Sequence, residues 1–591
     1  MKTLHFWCVV SAFALAGCGG GGGGGHGGGG GGGGGGGPPP GAVLTSLSPM
    51  SVTAGDPPLW LIVNGSNFVA GGMATISGQP PTPYTWVSVT QIKVLVTSSA
   101  IAAAGSVAIK VTSANVAESN SLTLTVKAFT TSACLLDGSY DFVFTGFNSS
   151  GPITIAGNFG VDANGNVTGE QDYKDLASTH PAQPITGGTC VNSMTPNEGA
   201  LTLTTDTGAT FSYTYVSQTL PAPGAKGRIA SAASNTGISG SGWFHFVPGP
   251  TFLSGDLALG LVGSDSSGNR MTLLGRFTDT TAGLAVAGML SNGLGDTNTS
   301  GIPKSMQSIT GTVGIPDAYS RSLATVMIGS QPLQLAIYVP VPGLGLVANA
   351  DSASGSPLLA GFVNGQANLP FGNGSLTAPL IVTSWGGVSA QSVTSLSRAS
   401  GFNATGGPAG SGKGTFDLLV DAVTSGAASP STPISPVTYQ IDATGRGTAS
   451  YTIGGKTHDF VVYLDDVNDG YVMDTNDPSA GYGWFVAQKQ LVTFNKLFIS
   501  QTYYAGTWFS PVAASPNTTG VVTFDSMTGM ASGLFNGAYT VVDATTGRGT
   551  VAVTSPVFGS NNLVFYIINQ NLIEAMGSDG VSGDAIAFLN H

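Results

Sequence analysis

The feature that most constrains this chain is that everything after Cys134 repeats. "YQIDATGRGTASYTI" at Tyr439–Ile453 returns as "YTVVDATTGRGTVAV" at Tyr539–Val553, and "FVVYLDDVNDGYVMD" is answered by "LVFYIINQNLIEAMG". Upstream, Phe371 and Trp385 keep the spacing of Phe494 and Trp508. The second unit carries a decayed copy of this segment, "YSRSLATVMI" from Tyr319, and its head, "LALGLVGSDSSGNRMTLLGRF", matches "YDFVFTGFNSSGPITIAGNF" at Tyr140 almost residue for residue. Gly242–Phe244 and Gly483–Phe485 close two of the units with the same Gly-Trp-Phe. Four copies of roughly 100 to 120 residues follow one another, over 134–247, 248–366, 367–487 and 488–591. Self-similarity of this kind means that one folding unit is used several times.

Within a copy, seven or eight short strands succeed each other through turns such as "DANGN" (Asp162–Asn166) and "ATGRG" (Ala443–Gly447), with Val, Thr and Ile alternating. Only four Glu and few Lys are present, so the best surface helix formers are nearly absent. Charged residues make up 8% of the chain, which leaves Ser, Thr, Asn and Gly to supply the polar surface. The fold class is therefore all-β, with four tandem antiparallel β-meander units. Sequential strands of this number hide their edges in an up-and-down barrel or a two-sheet sandwich. Small barrels, similar in outline to lipocalins or avidin, are the expectation, on pattern and not on any motif.

Another unit precedes the repeats, over 42–127. "LWLIVNGSNF" (Leu59–Phe68), "VSVTQIKVLV", "GSVAIKVTS" and "SNSLTLTV" read as strands separated by turn clusters. Pro49, Gly55, the Val63–Phe68 box, Gly105 and the closing Ser121–Val126 run give it a resemblance to the IPT/TIG family of immunoglobulin-like sandwiches. That resemblance covers about 85 residues and implies a spacer or binding module, with no catalytic residue to carry over. Trp60 and Trp86 read as core and rim.

The first 41 residues are of another kind. One positive charge and an apolar run from Leu4 to Leu15 have the length of a signal-peptide core, too short to span a bilayer. The run ends in Leu15-Ala16-Gly17-Cys18, which resembles the lipobox of bacterial lipoproteins; the resemblance implies cleavage after residue 17 and a lipid on Cys18. Gly19 in the next position implies, by the same likeness, the outer membrane. Residues 18–41 are then almost all Gly with three Pro, a composition that cannot bury apolar surface. A tract of about 20 such residues reaches roughly 25 Å. The whole resembles multi-repeat bacterial surface lipoproteins.

Motifs of chemistry are scarce. "GGPAGSGKGT" (Gly406–Thr415) imitates a phosphate loop, but a polar segment precedes it and a strand-like one follows, and the Ser/Thr after the lysine is displaced by one. "LDDVNDGYVMDTND" (Leu464–Asp477) is acidic enough for calcium, yet it misses the EF-hand spacing and reads as a solvated turn. Arg446 and Arg548 read as structural turn residues. There is no G-x-S-x-G, H-E-x-x-H or C-x-x-C, and no carboxylate pair stands out for a glycosidase. A net charge of −12 without a basic cluster argues against nucleic acid.

The sequence thus points to a non-enzymatic, lipid-anchored, surface-exposed envelope protein with a binding or spacer role. It implies no catalytic residue, metal or cofactor. Its partners would be a membrane, through the lipid, and a carbohydrate or protein ligand, with no nucleic acid or nucleotide. A lipocalin-like carrier of apolar ligands is the alternative, and a polysaccharide-acting enzyme a further one. Cys134 and Cys190, the cysteines left after processing, are expected to pair within the first repeat, because exported chains meet an oxidising compartment.

Overall fold

The computed structural model describes most of residues 41–590; residues 1–40, residue 591 and a set of loop positions, the longest at 509–518, 219–225 and 579–585, lie outside the described residues, and Cys18 with them. The described chain is all-β, with two small N-terminal sheets and four eight-strand antiparallel meanders in tandem.

The N-terminal sheets have four and five strands and share one apolar core. Alternation in "QIKVLV" and "GSVAIKVT" sends Ile92, Val94, Ile109 and Val111 inward, and all four are fully buried. Trp86 lies at the rim, its indole N–H donating to the Phe68 carbonyl at 3.1 Å.

Each meander pairs its strands in sequence order, and its last strand returns to its first. Of the two architectures open in the sequence, the structure has the barrel. In the first repeat Gly138–Asn148 pairs with both Gly151–Val161 and Ser239–Phe246. In the second, Gly255–Ser264 pairs with Leu358–Gly365, and in the third Leu380–Val388 pairs with Tyr482–Ala487. The fourth is the least regular. Its third strand shrinks to Met530–Gly533 and pairs with the fourth strand through two residues, so seven strands curl and the short Ile586–Asn590 completes the circuit against Thr502–Trp508. Tyr439 and Tyr539 both sit on fourth strands, and Trp385 and Trp508 both on first strands, as the duplication requires.

A recurrent Asx turn sets the hairpins. Asp162, Asp265, Asp317 and Asp442 each accept, through Oδ1, the backbone N–H groups two and four residues on, at 2.8–3.2 Å. In three of these turns the penultimate residue is a left-handed glycine (Gly165, Gly268 and Gly445, φ 79°, 81° and 85°), where a side chain would be strained. The linkers repeat as well. Gln366 and Gln488 each donate to two carbonyls of the barrel that follows (Thr444 and Leu464; Thr546 and Ile567), which places Phe371 and Phe494 under the barrel floor.

The barrel interiors are filled by their own side chains, as eight strands allow. Phe142, Phe144, Phe159, Tyr213 and Phe244 fill the first, aliphatic residues the second, and Tyr503, Phe524, Tyr539 and Phe565 the fourth. A separate apolar cluster lies between barrels and draws on all four, with Val143, Tyr338, Trp385 and Tyr566 among its members. The four barrels form a ring. Opening strands of each pack on late strands of the next, and the first two strands of the fourth barrel pack on Thr210–Ser217, Lys226–Ser231 and Ser239–Phe246 of the first.

Cys134 and Cys190 are joined by a disulfide, with Cα atoms 5.3 Å apart, that ties the entry of the first barrel to its fourth strand. The bond closes a loop of 56 residues. Reducing it, or replacing both cysteines with Ser, should lower the stability of the first barrel by about 2–4 kcal/mol. Thermal unfolding with and without reductant reads this, and an unchanged first transition would count against it.

Candidate functional site at the barrel seams

The third strands of the first three barrels, Val167–Asp175, Gly288–Thr299 and Gly414–Thr424, each carry an Asp that faces out of its own barrel: Asp172, Asp296 and Asp421. All three are buried, because the next barrel covers them. That barrel supplies an Arg from the first position of its fifth strand (Arg321–Ile328, Arg446–Ile453 or Arg548–Val557) and a Tyr from its sixth. Arg and Tyr are direct cross-strand partners: Arg321 with Tyr338, Arg446 with Tyr463, Arg548 with Tyr566.

The geometry is the same three times. One carboxylate oxygen takes the Arg Nη2 (2.8, 2.7 and 2.6 Å) and the other takes Nε (2.7, 2.8 and 2.9 Å). The Tyr hydroxyl donates to the second oxygen at 2.7, 2.5 and 2.8 Å. A backbone N–H completes the set: Ala182, Met306 and Ser431, each at a fourth-strand bulge with φ near 50°, donate to the first oxygen at 2.9–3.1 Å. A buried carboxylate has about four acceptor sites, and here all four are used. Hydrogen bonds to Asp296 and Asp421 hold Arg446 and Arg548 above the ordinary arginine range. Burial first, then the facing carboxylate, push the Tyr338, Tyr463 and Tyr566 hydroxyls up, so they remain donors.

Polar clamps and knobs accompany these locks. Lys174 Nζ donates to the Asp351 carbonyl at 2.7 Å, and Asn298 Nδ2 donates to the Asp474 and Asp477 carbonyls at 2.8 and 3.2 Å, in each case reaching into the next barrel. On the seventh strands, Arg228, Leu346, Tyr471 and Glu574 occupy one repeated position, each in register with an eighth-strand aromatic residue (Trp243, Phe362, Trp484 and Phe588). Tyr471 presses on Gly260 of the preceding barrel, where a Cβ would lie 2.6 Å from its ring. Glu574 meets Thr383 Oγ1, which donates to it, and the Trp484 indole at 3.0 Å. Burial pushes Glu574 up to about 7, against the opposing pull of those two donors.

The seam that closes the ring, between the fourth and first barrels, is built differently. Glu198 is the cross-strand partner of Val216, so an acid and an aliphatic stand where the other barrels have Arg and Tyr. Asn197 Nδ2 donates to the Tyr504 hydroxyl at 2.6 Å, and Thr214 and Thr519 hydroxyls lie 3.0 Å apart. Arg228 stacks over Trp243, 4.2 Å from the ring centre, and fills the space beside Gly506.

Several sequence expectations change here. Arg446 and Arg548 do follow Asx turns, but their guanidinium groups serve the preceding barrel and not the turn. The acidic stretch is not simply a solvated turn: Asp465 is buried and accepts from Asn364 of the second barrel at 2.7 Å, and Asp474 is buried too. The phosphate-loop imitation leads into the strand Gly414–Thr424. Sequence reasoning missed Asp172, Asp296 and Asp421. Their signal was an acid inside "EQDYKD", "LGDTNT" and "LLVDAV", strands too buried to leave a lone carboxylate unpaired. The chain matches no protein-family model, and no curated protein matches it.

Removing one partner of a buried ion pair costs about 3–5 kcal/mol, since the other charge is left buried without its partner. Asp421→Ala should therefore destabilise the chain by roughly that amount, whereas Glu198→Ala, at the seam without a lock, should cost about 1 kcal/mol or less. Chemical denaturation of both variants decides this; equal losses would deny the locks their role.

Glu574 gives a pH test. Its folded-state pKa lies above its unfolded value, so the folded chain holds the proton more tightly, and stability should fall as pH rises from about 4.5 to about 7. The shift corresponds to roughly 3 kcal/mol at most. Glu574→Gln should flatten the stability–pH curve in that window relative to the parent chain. Parallel curves would show that the carboxyl does not titrate there.

Proposed function

We propose that this chain is a lipid-anchored protein of the cell envelope whose β-modules act as a non-enzymatic spacer and binding platform. The observation that carries this reading is that the repeated polar residues of the barrels serve one another: the Asp, Arg and Tyr of each lock are saturated within the seams. Filled barrels support a platform over a carrier, since two concavities lined by described residues, at Arg228–Tyr504 and at Leu253–Val339, each offer about 10 Å³. The N-terminal pair of sheets sharing one core is compatible with an IPT/TIG-like module, which in this reading stands between tether and ring. The Leu15–Cys18 lipobox and the glycine tract supply anchor and reach, with the outer membrane as destination and a carbohydrate or protein surface as partner.

The reading is tested at Cys18. Mass spectrometry of the N-terminal peptide from the membrane fraction should find Cys18 as first residue, carrying acyl chains. Cys18→Ala should abolish both the modification and the membrane association. An unmodified N-terminus elsewhere in the chain would end the proposal.

A further inference from the structure

Among the described residues, the third barrel holds a constellation that its siblings lack. His458, on the sixth strand Lys456–Asp466, Asp474, at the end of the seventh strand Asp469–Asp474, and Asp477 in the following loop bring one nitrogen and two carboxylate oxygens within 4.8 Å of one another. His458 Nδ1 and Asp474 Oδ2 are 3.2 Å apart. Two ligands on a tetrahedral zinc ion, each about 2.0–2.1 Å from it, stand about 3.3 Å apart, so this edge is already at the right length.

The scaffold around the three groups is fixed. Asp474 Oδ1 accepts the backbone N–H groups of Asn476 and Asp477, both at 3.0 Å, which leaves Oδ2 turned toward the histidine. Asn298 of the second barrel holds the backbone of Asp474 and Asp477 from the other side. The His458 ring packs beside Tyr451 and Phe460, with ring centres 5.2 and 6.4 Å away, and those two rings stack on each other at 5.4 Å, an apolar shell that limits solvent access to the imidazole.

The fold itself does not call for these residues. The backbone bond from Thr475 N–H to the Asp459 carbonyl recurs as Ala232 to Ser212, Ala350 to Gln334 and Ser578 to Asn562, which fixes the equivalent positions in all four barrels. Where the third barrel has His458 and Asp474, the first has Phe211 and Ser231, the second Leu333 and Asn349, and the fourth Asn561 and Gly577. The same loop closure thus forms without any ligand-type pair.

We infer that His458, Asp474 and Asp477 bind a divalent transition-metal ion of the zinc type at the seam between the second and third barrels. One imidazole and two carboxylates suit Zn²⁺ and its neighbours better than Ca²⁺, which takes six to eight oxygens. A water would complete the tetrahedron, and Asp477, in the loop that follows the seventh strand, would supply the third protein ligand. The test is titration of the full chain, stripped with chelator, with ZnCl₂ by calorimetry and with CoCl₂ by visible absorption. One equivalent should bind, and Co²⁺ should give the intense d–d bands of a four-coordinate site. His458→Ala and, separately, Asp477→Asn should weaken binding at least tenfold, while Asp459→Asn should not. Asp477 lies on a loop, so its variant keeps the test open if His458→Ala fails to fold. No uptake of either ion, or uptake unaltered by both variants, would overturn the site and leave a plain His–Asp hydrogen bond.

Discussion

The assembly depends on a buried carboxylate that has been given every donor it can use. Taking an aspartate out of water costs several kcal/mol unless its oxygens are met by partners of good geometry. Here a bidentate guanidinium, a tyrosine hydroxyl and a backbone N–H meet it, and they come from two barrels. The backbone donor is available only because the fourth strand bulges into a left-handed residue at that point. Seam and barrel are thus interdependent: the bulge that shapes one barrel completes the site that receives the next. Arg is the residue suited to the task, since its planar fork matches both carboxylate oxygens at once, which lysine cannot do.

The ring also accounts for the composition. A barrel standing alone would alternate, one residue in and one out, and Arg321–Ile328 does so. Strands on the seams do not. Gly138–Asn148 and Gly151–Val161 are each buried over seven consecutive residues, because one face fills the barrel and the other meets a neighbour. Runs such as "LAIYV" and "LVFYII" are the sequence form of this double burial, which is otherwise typical of parallel sheets. With so much of the strand surface enclosed, few positions are left where a charge is tolerated, and 8% charged residues suffice.

Repetition does not make the four seams equal. Three are held by the same four-donor arrangement, while the one that closes the ring relies on Arg228 packed against Gly506, the Asn197–Tyr504 hydrogen bond and a pair of threonines. Only the first barrel lacks the Arg and Tyr, and only the fourth lacks an Asp on its third strand (Met530–Gly533). The two barrels that have lost opposite halves of the lock are the two that meet.

By itself the sequence determined the all-β class, the number of copies and the order of strands within each, because alternation and Asx-turn signals are local and duplication makes them visible twice. The pairing of Tyr439 with Tyr539 and of Trp385 with Trp508 was legible for that reason. What lay beyond it was contact between residues more than a hundred positions apart. Asp296 and Arg446 stand 150 residues apart in the chain, and nothing local distinguishes an aspartate awaiting a partner from one facing water. His458 and Asp474, closer in the chain, still become neighbours only when the sixth and seventh strands of the third barrel pair, and the filled barrels could not be told from hollow ones by pattern alone. Tertiary structure decided these points because closing each barrel chooses which face turns outward, and closing the ring chooses what that face meets.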